Sequence, residues 1–298
     1  MTRQASIEFI RAARLLPPNL RSAVLALPTE LCEEAEELRL RVGRAPTAVL
    51  ARGEIEILPD YRVLPTDLQL VLEIATRASV HAYSESIKMG FVTGEGGCRV
   101  GLCGTAVSEG GSISGLRRLS SVCIRIPREK QGCADGIYGA LTARGFASTL
   151  LVSPPGEGKT TLLRELIRRL SDEGRRLALV DERNELAGSF EGQAAFDLGS
   201  RTDILSGAPK GEGIFLLLRS MAPQIIAFDE ITAPEDVCAA ELAANCGVSI
   251  LATAHGLGLS DLQNRPLYKN LLERKIFRRA VIIEKKNGRR FYTVEELN

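Results

Sequence analysis

Between an apolar run, Thr149–Val152, and leucines and an isoleucine at helical spacing, Leu162, Leu163, Leu166, Ile167 and Leu170, this chain carries Ser153-Pro154-Pro155-Gly156-Glu157-Gly158-Lys159-Thr160-Thr161. A glycine-rich turn from a buried strand into a helix gathers backbone amides into an anion-binding nest, and the helix dipole reinforces it. The turn constrains the fold as well as the chemistry, because it needs a strand before it and a helix after it. Gly156 and Gly158 let the backbone approach phosphates, Lys159 reaches the β- and γ-phosphates, and Thr160 offers a hydroxyl to Mg²⁺. Ser153 stands where the pattern G-x-x-x-x-G-K-[ST] has its first glycine, and serine tolerates a tight turn less well than glycine.

The rest of the chain supports an α/β reading in its second part. Short apolar runs at Thr149–Val152, Leu177–Val180, Ile225–Phe228 and Ser249–Ala252 alternate with helical segments. That is the pattern of a parallel sheet covered on both faces. A hairpin, Ala280–Glu284 and Arg290–Val294 around Asn287-Gly288, closes the chain. The first part reads as α+β: an amphipathic helix ending at Pro17-Pro18, alternating strands at Thr47–Leu50 and Glu54–Leu58, a helix from about 66 to 79, and glycine-punctuated strands at Gly90–Thr93, Cys98–Val107 and Val122–Ile126. The polar stretch Pro127–Gly132 separates them, giving domains over 1–130 and 131–298. At 298 residues there is material for two cores.

A net charge of +1 gives no sign of a polyanionic partner, and with 5% aromatics and no tryptophan there is little to stack on single strands, so no nucleic acid is expected. No apolar run is long enough to span a bilayer and the N-terminus lacks a signal-type h-region, which places the chain in the cytoplasm. Seven cysteines without a C-x-x-C pair read as buried reduced thiols, and with only His81 and His255 available a zinc site is not expected.

Seventy residues after Lys159, the run Gln224–Phe228 ends in Asp229-Glu230. An Asp at a neighbouring strand end holds Mg²⁺ together with the loop threonine in phosphate-loop enzymes, which assigns Asp229 to the metal and Glu230 to polarising the attacking water. Asp181-Glu182-Arg183 repeats the arrangement at another strand end, where ligands of open α/β sheets bind. Its alternative is a structural Glu–Arg pair. Ala252–Gly256 follows a further strand, and either Thr253 or His255 is expected there to sense the γ-phosphate. Arg201 and Arg219 are arginine-finger candidates. Ser206–Gly213 is glycine-rich without the other loop features and reads as a mobile loop.

Leu216–Ile231, with Ser153–Thr161 before it and Ala252–Gly256 after it, resembles the stage III sporulation protein AA family, whose members look like hexameric secretion ATPases of the type II and type IV superfamily. The likeness extends to Leu38–Pro46 and Gly96–Gly104. It implies a RecA-like P-loop NTPase core behind a smaller N-terminal α+β domain, with ATP and Mg²⁺ as ligands. Ser153–Thr161 would then be Walker A, Asp229-Glu230 Walker B, Asp181-Glu182-Arg183 the acidic box and His255 the histidine box. The resemblance further implies a ring of copies of the chain, expected as a hexamer, beneath integral membrane components of a channel joining mother cell and forespore. Arg99 and Arg125 of the first domain become candidates for donation to a neighbouring nucleotide. Two other classes share such a core: a RecA-type nucleic-acid-binding ATPase and a non-hydrolysing nucleotide switch or scaffold.

Overall fold

A computed structural model describes residues 7–79, 83–127, 131–286 and 289–297. Two compact units emerge: Met1–Arg128 with Gly188–Ala195, and Glu129–Ala187 with Phe196–Asn298. His81, the middle of the Pro127–Gly132 stretch and the Asn287-Gly288 turn lie outside the described residues.

The first unit opens with three short helices, α1 (Ile7–Arg14), α2 (Pro18–Leu25) and α3 (Thr29–Glu34). Phe9, Ala12 and Ala13 form the buried face of α1, and Pro18 starts α2 where its missing N–H costs nothing. Strands β1 (Glu37–Arg41), β2 (Thr47–Leu50) and β3 (Gly53–Glu56) follow, then α4 (Pro65–Ala75), α5 (Ser84–Lys88), β4 (Phe91–Thr93), β5 (Arg99–Glu109) and β6 (Ser112–Arg125). All pair antiparallel in the order β3-β2-β1-β6-β5-β4. Leu68, Val71 and Ala75 of α4 join Leu38, Val100 and Ile124 in one core. Strand β6 is far longer than the expected Val122–Ile126, because Arg117–Ser121 lacks the alternation that marks a half-buried strand while still pairing through register shifts at Cys103–Thr105. The segment Gly188–Ala195 belongs here: Arg77 meets Glu191 at 2.5 Å and lies over the Phe190 ring.

The second unit contains α6 (Asp135–Thr142), β7 (Thr149–Ser153), α7 (Lys159–Asp172), β8 (Leu177–Asp181), β9 (Thr202–Ser206), α8 (Lys210–Ser220), β10 (Ile225–Phe228), α9 (Pro234–Asn245), β11 (Ser249–His255), α10 (Leu259–Gln263), α11 (Pro266–Glu273), β12 (Arg279–Lys286) and β13 (Arg289–Glu296). Its sheet runs β13-β12-β7-β11-β10-β8-β9, parallel except for β13. Alternate residues of the central strands enter two different cores. Leu150, Val152, Val180, Ile226 and Phe228 pack with Ile214, Leu217 and Val237, while Leu151, Leu177, Leu179 and Ala227 pack with Leu162, Leu166 and Ile137. Helices on both faces explain why these strands read as unbroken apolar runs.

Two expectations change here. Ser206–Gly213 is not a loop throughout, since α8 begins at Lys210 behind Pro209. The thiols are free, yet only Cys32 and Cys98 are buried, and Cys103, Cys238 and Cys246 are exposed. No described helix is long and apolar enough to cross a membrane.

Candidate nucleotide site

Because β7, β11, β10 and β8 are adjacent and parallel, their carboxyl ends share one edge of the sheet. Between β7 and β8 the chain crosses over two strands, and ligands of such sheets bind outside this kind of reversal. Ser153 ends β7, Phe228 precedes Asp229-Glu230, His255 ends β11 and Asp181 ends β8. Separate sequence signals thus become one site.

The loop turns at Gly156 and Gly158, whose φ angles are +78° and +101°, and Gly158 caps α7. Ser153 is fully buried, pairs with His255 as the last residue of its strand, and does not adopt positive φ. The missing glycine therefore costs no backbone strain: the position is extended, a conformation that any residue can take. Pro154 and Pro155 follow, and Thr160 and Thr161 lie in the first turn of α7. Oε2 of Glu157 is buried without a hydrogen-bond partner among the described residues.

Lys159 is only 7% exposed. Its Nζ donates to the Ser153 carbonyl at 2.7 Å and the Pro154 carbonyl at 3.0 Å, and lies 2.8 Å from Nδ1 of His255. Burial pushes its pKa down, against the opposing charges of Glu230, Asp229 and Glu157. An ammonium has no lone pair, so Nδ1 of His255 accepts and Nε2 carries the proton. That proton faces Oε2 of Glu230 at 2.7 Å. Beside it, Thr253 donates its hydroxyl to Oδ1 of Asp229 at 3.0 Å.

Asp181 and Glu182 part company. Asp181, 1% exposed, accepts backbone N–H groups from Glu185, Leu186 and Ala187 at 2.9, 3.1 and 2.7 Å, so both its oxygens are taken up in shaping the following turn. Burial raises its pKa, opposed by those amides. Glu182 is half-exposed and pairs at 2.9 Å with Lys210, not with Arg183. Lys210, 8% exposed, also lies 3.6 Å from Asp236. Nothing local marks it out, because its partners lie after β8 and in α9.

Among the described residues, the candidate arginines hold other partners within their own units. Arg219 lies over Phe215 on the exposed end of α8, nine residues or roughly 14 Å along the axis from Lys210. Arg201 precedes β9, at the opposite sheet edge, and donates to the Gly174 carbonyl. In the first unit, Arg99 lies over Phe91 and Arg125 bonds Glu37.

The donor set fits a magnesium nucleotide. Glycines at positive φ and a helix N-terminus suit phosphates, and the Thr160 hydroxyl and Asp229 carboxylate are hard oxygen ligands. Among the described residues no group of three or more His, Cys, Asp or Glu side chains is placed to hold a metal ion by itself.

Comparison with known proteins agrees with this architecture. The sequence model of the family described as sporulation stage III, protein AA, matches residues 7–292. Stage III sporulation protein AA of Bacillus subtilis (strain 168) is 38% identical over 282 residues, covering 93% of this chain and 91% of that protein. Among solved structures, the pilus retraction motor PilT with bound ADP superposes with a TM-score of 0.63 at 16% identity, over 90% of this chain and 81% of that one. The ATPase DotB of Yersinia pseudotuberculosis superposes at 0.58 with 15% identity, over 95% and 80%. At such identity the likeness is one of fold: a RecA-like P-loop core preceded by an α+β domain.

Proposed function

This chain belongs to the sporulation stage III protein AA family, and from that premise we propose that it is an ATP-hydrolysing motor, assembled as a ring, expected to be a hexamer, that energises a membrane channel between mother cell and forespore. The observation that supports the reading most directly is the meeting of Lys159, Asp229, Glu230 and His255 at one sheet edge. The ring, its integral membrane partners and a place in the cytoplasm beside them are part of the proposal.

In this reading Lys159 exchanges the carbonyls of Ser153 and Pro154 for phosphate oxygens, while the amides of Gly156–Thr161 surround them. Thr160 and Asp229 hold Mg²⁺, which when bound neutralises charge building on the phosphates. Glu230 orients the attacking water, and His255 fixes that carboxylate through its Nε2 proton. Glu182, tethered by Lys210, supplies a second carboxylate at the same edge. Arg219, exposed and remote from its own chain's cluster, suits donation to another copy.

ATP turnover measured for the wild type, Lys159→Ala and Glu230→Gln, alongside mass as protein concentration rises, tests the proposal. Expected are loss of turnover in both variants and wild-type activity that appears as the oligomer forms. Equal Mg²⁺-dependent rates in all three proteins would sink it.

A further inference from the structure

The phosphate loop is tied down by a residue from the far end of the chain. Nε of Arg290, on β13, donates to the carbonyl of Glu157 at 2.6 Å. Its guanidinium packs so tightly on Gly158 that a Cβ there would stand 2.7 Å from Nε and 3.2 Å from Cζ. Arg290 is paired opposite Lys285 of β12, and β12 lies beside β7, so the strand leading into the loop and the hairpin carrying the arginine are parts of one sheet.

The bond acts on a peptide plane. Across a trans peptide the carbonyl of one residue and the N–H of the next point in opposite directions. Anchoring the Glu157 carbonyl therefore sets the direction of the Gly158 N–H, one of the amides of the loop. Gly158 at φ +101° is free to take other backbone conformations, so nothing in its own chemistry prevents that plane from turning over. We propose that Arg290 is a positioning residue that locks the Glu157–Gly158 peptide in its phosphate-binding orientation. It acts on the loop rather than on the nucleotide, and its value for catalysis rests on the ATP-site reading above.

Two isosteres separate hydrogen bond from charge. Arg290→Gln keeps a donor nitrogen at the same distance along the side chain as Nε, and Arg290→Met places a methyl there. Arg289→Ala, an exposed neighbour on β13, is the control. Amide hydrogen exchange of the nucleotide-free protein should be faster at residues 156–160 in Arg290→Met, with β11 and β12 unchanged, and should return toward wild type in Arg290→Gln. Binding of ADP and of inorganic tripolyphosphate should weaken by a common factor, on the order of tenfold, in Arg290→Met, as for the loss of one charge-assisted hydrogen bond. The KM for ATP should rise with kcat within about twofold, as uniform binding demands.

Unchanged exchange at residues 156–160 in Arg290→Met overturns the proposal. So does weakened ADP binding with intact tripolyphosphate binding, which would make Arg290 a contact to the base or ribose. If the wild type binds neither ligand, the ATP-site reading fails while the exchange measurement still decides the role of Arg290.

Discussion

Nε2 of His255 lies 2.7 Å from Oε2 of Glu230, and on its other side the same ring meets Lys159. The imidazole thus joins the group assigned to the phosphates with the group assigned to the water. Replacing His255 by Ala removes both contacts. In the proposed ATPase, kcat should fall on the order of a hundredfold through a misplaced Glu230, within the range for a positioned general base. ADP affinity should change only a few-fold. Steady-state turnover and ADP titration check this, and an equal loss in both would place His255 in binding instead.

Lys210 stands between Glu182 and Asp236. Lys210→Met keeps the apolar length and removes the charge, leaving Asp236 buried without its cation. A loss of about 2–3 kcal/mol in unfolding free energy is expected, less than for a fully buried pair because Glu182 is half-exposed. Denaturant titration reads it, and a shift below about 0.5 kcal/mol would show that the pair is dispensable.

Gly213 lies in α8 against β8, where a Cβ would meet Val180 Cγ1 at 2.7 Å. Two effects compete in Gly213→Ala. Helix propensity favours alanine by about 1 kcal/mol, and overpacking opposes it by about 1–3 kcal/mol. The nearest contact is a branched methyl rooted in a buried strand, so the clash wins and the variant is less stable. A raised melting temperature would contradict the packing argument.

Glu165 gives a pH signature. Burial alone raises its pKa, but hydrogen bonds from Arg168 and the Gly132 amide outweigh this and hold the carboxyl below its ordinary 4.5. A carboxyl depressed by folding stabilises above its unfolded pKa, and that contribution disappears as pH falls through the folded one. Glu165→Gln should therefore be less stable than wild type by about 1 kcal/mol at neutral pH, with the gap closing below pH 4.5. Urea unfolding across that window measures it, and a gap that widens toward acid would reverse the assigned sign.

The central strands of the second unit were legible because strands covered on both faces read as apolar runs, and the turn from β7 into α7 was legible because its glycines stand between an apolar run and a helical one. Strand β9 was not, since Thr202, Asp203 and Ser206 give an edge strand no apolar run. Nor was the part of β6 before Val122, whose pairing depends on bulges. In the site, Asp229, Glu230 and His255 announced themselves at strand ends. Asp181 looked equivalent, and only the three amides around it reveal that its oxygens are already engaged. Lys210 and Arg290 were invisible for a different reason: the partner of each is set by the order of strands in the sheet, which no local pattern encodes.

The segment Gly188–Ala195 has a practical consequence for dissecting the molecule. Since it belongs with Met1–Arg128 although it is encoded between two stretches of the other unit, no single cut divides the polypeptide into two complete parts. A fragment ending at Arg128 lacks the Glu191 that pairs with Arg77, and a fragment starting at Glu129 carries eight residues without their own neighbours. Swapping the N-terminal unit between relatives would therefore require two grafts, one of them an internal octapeptide.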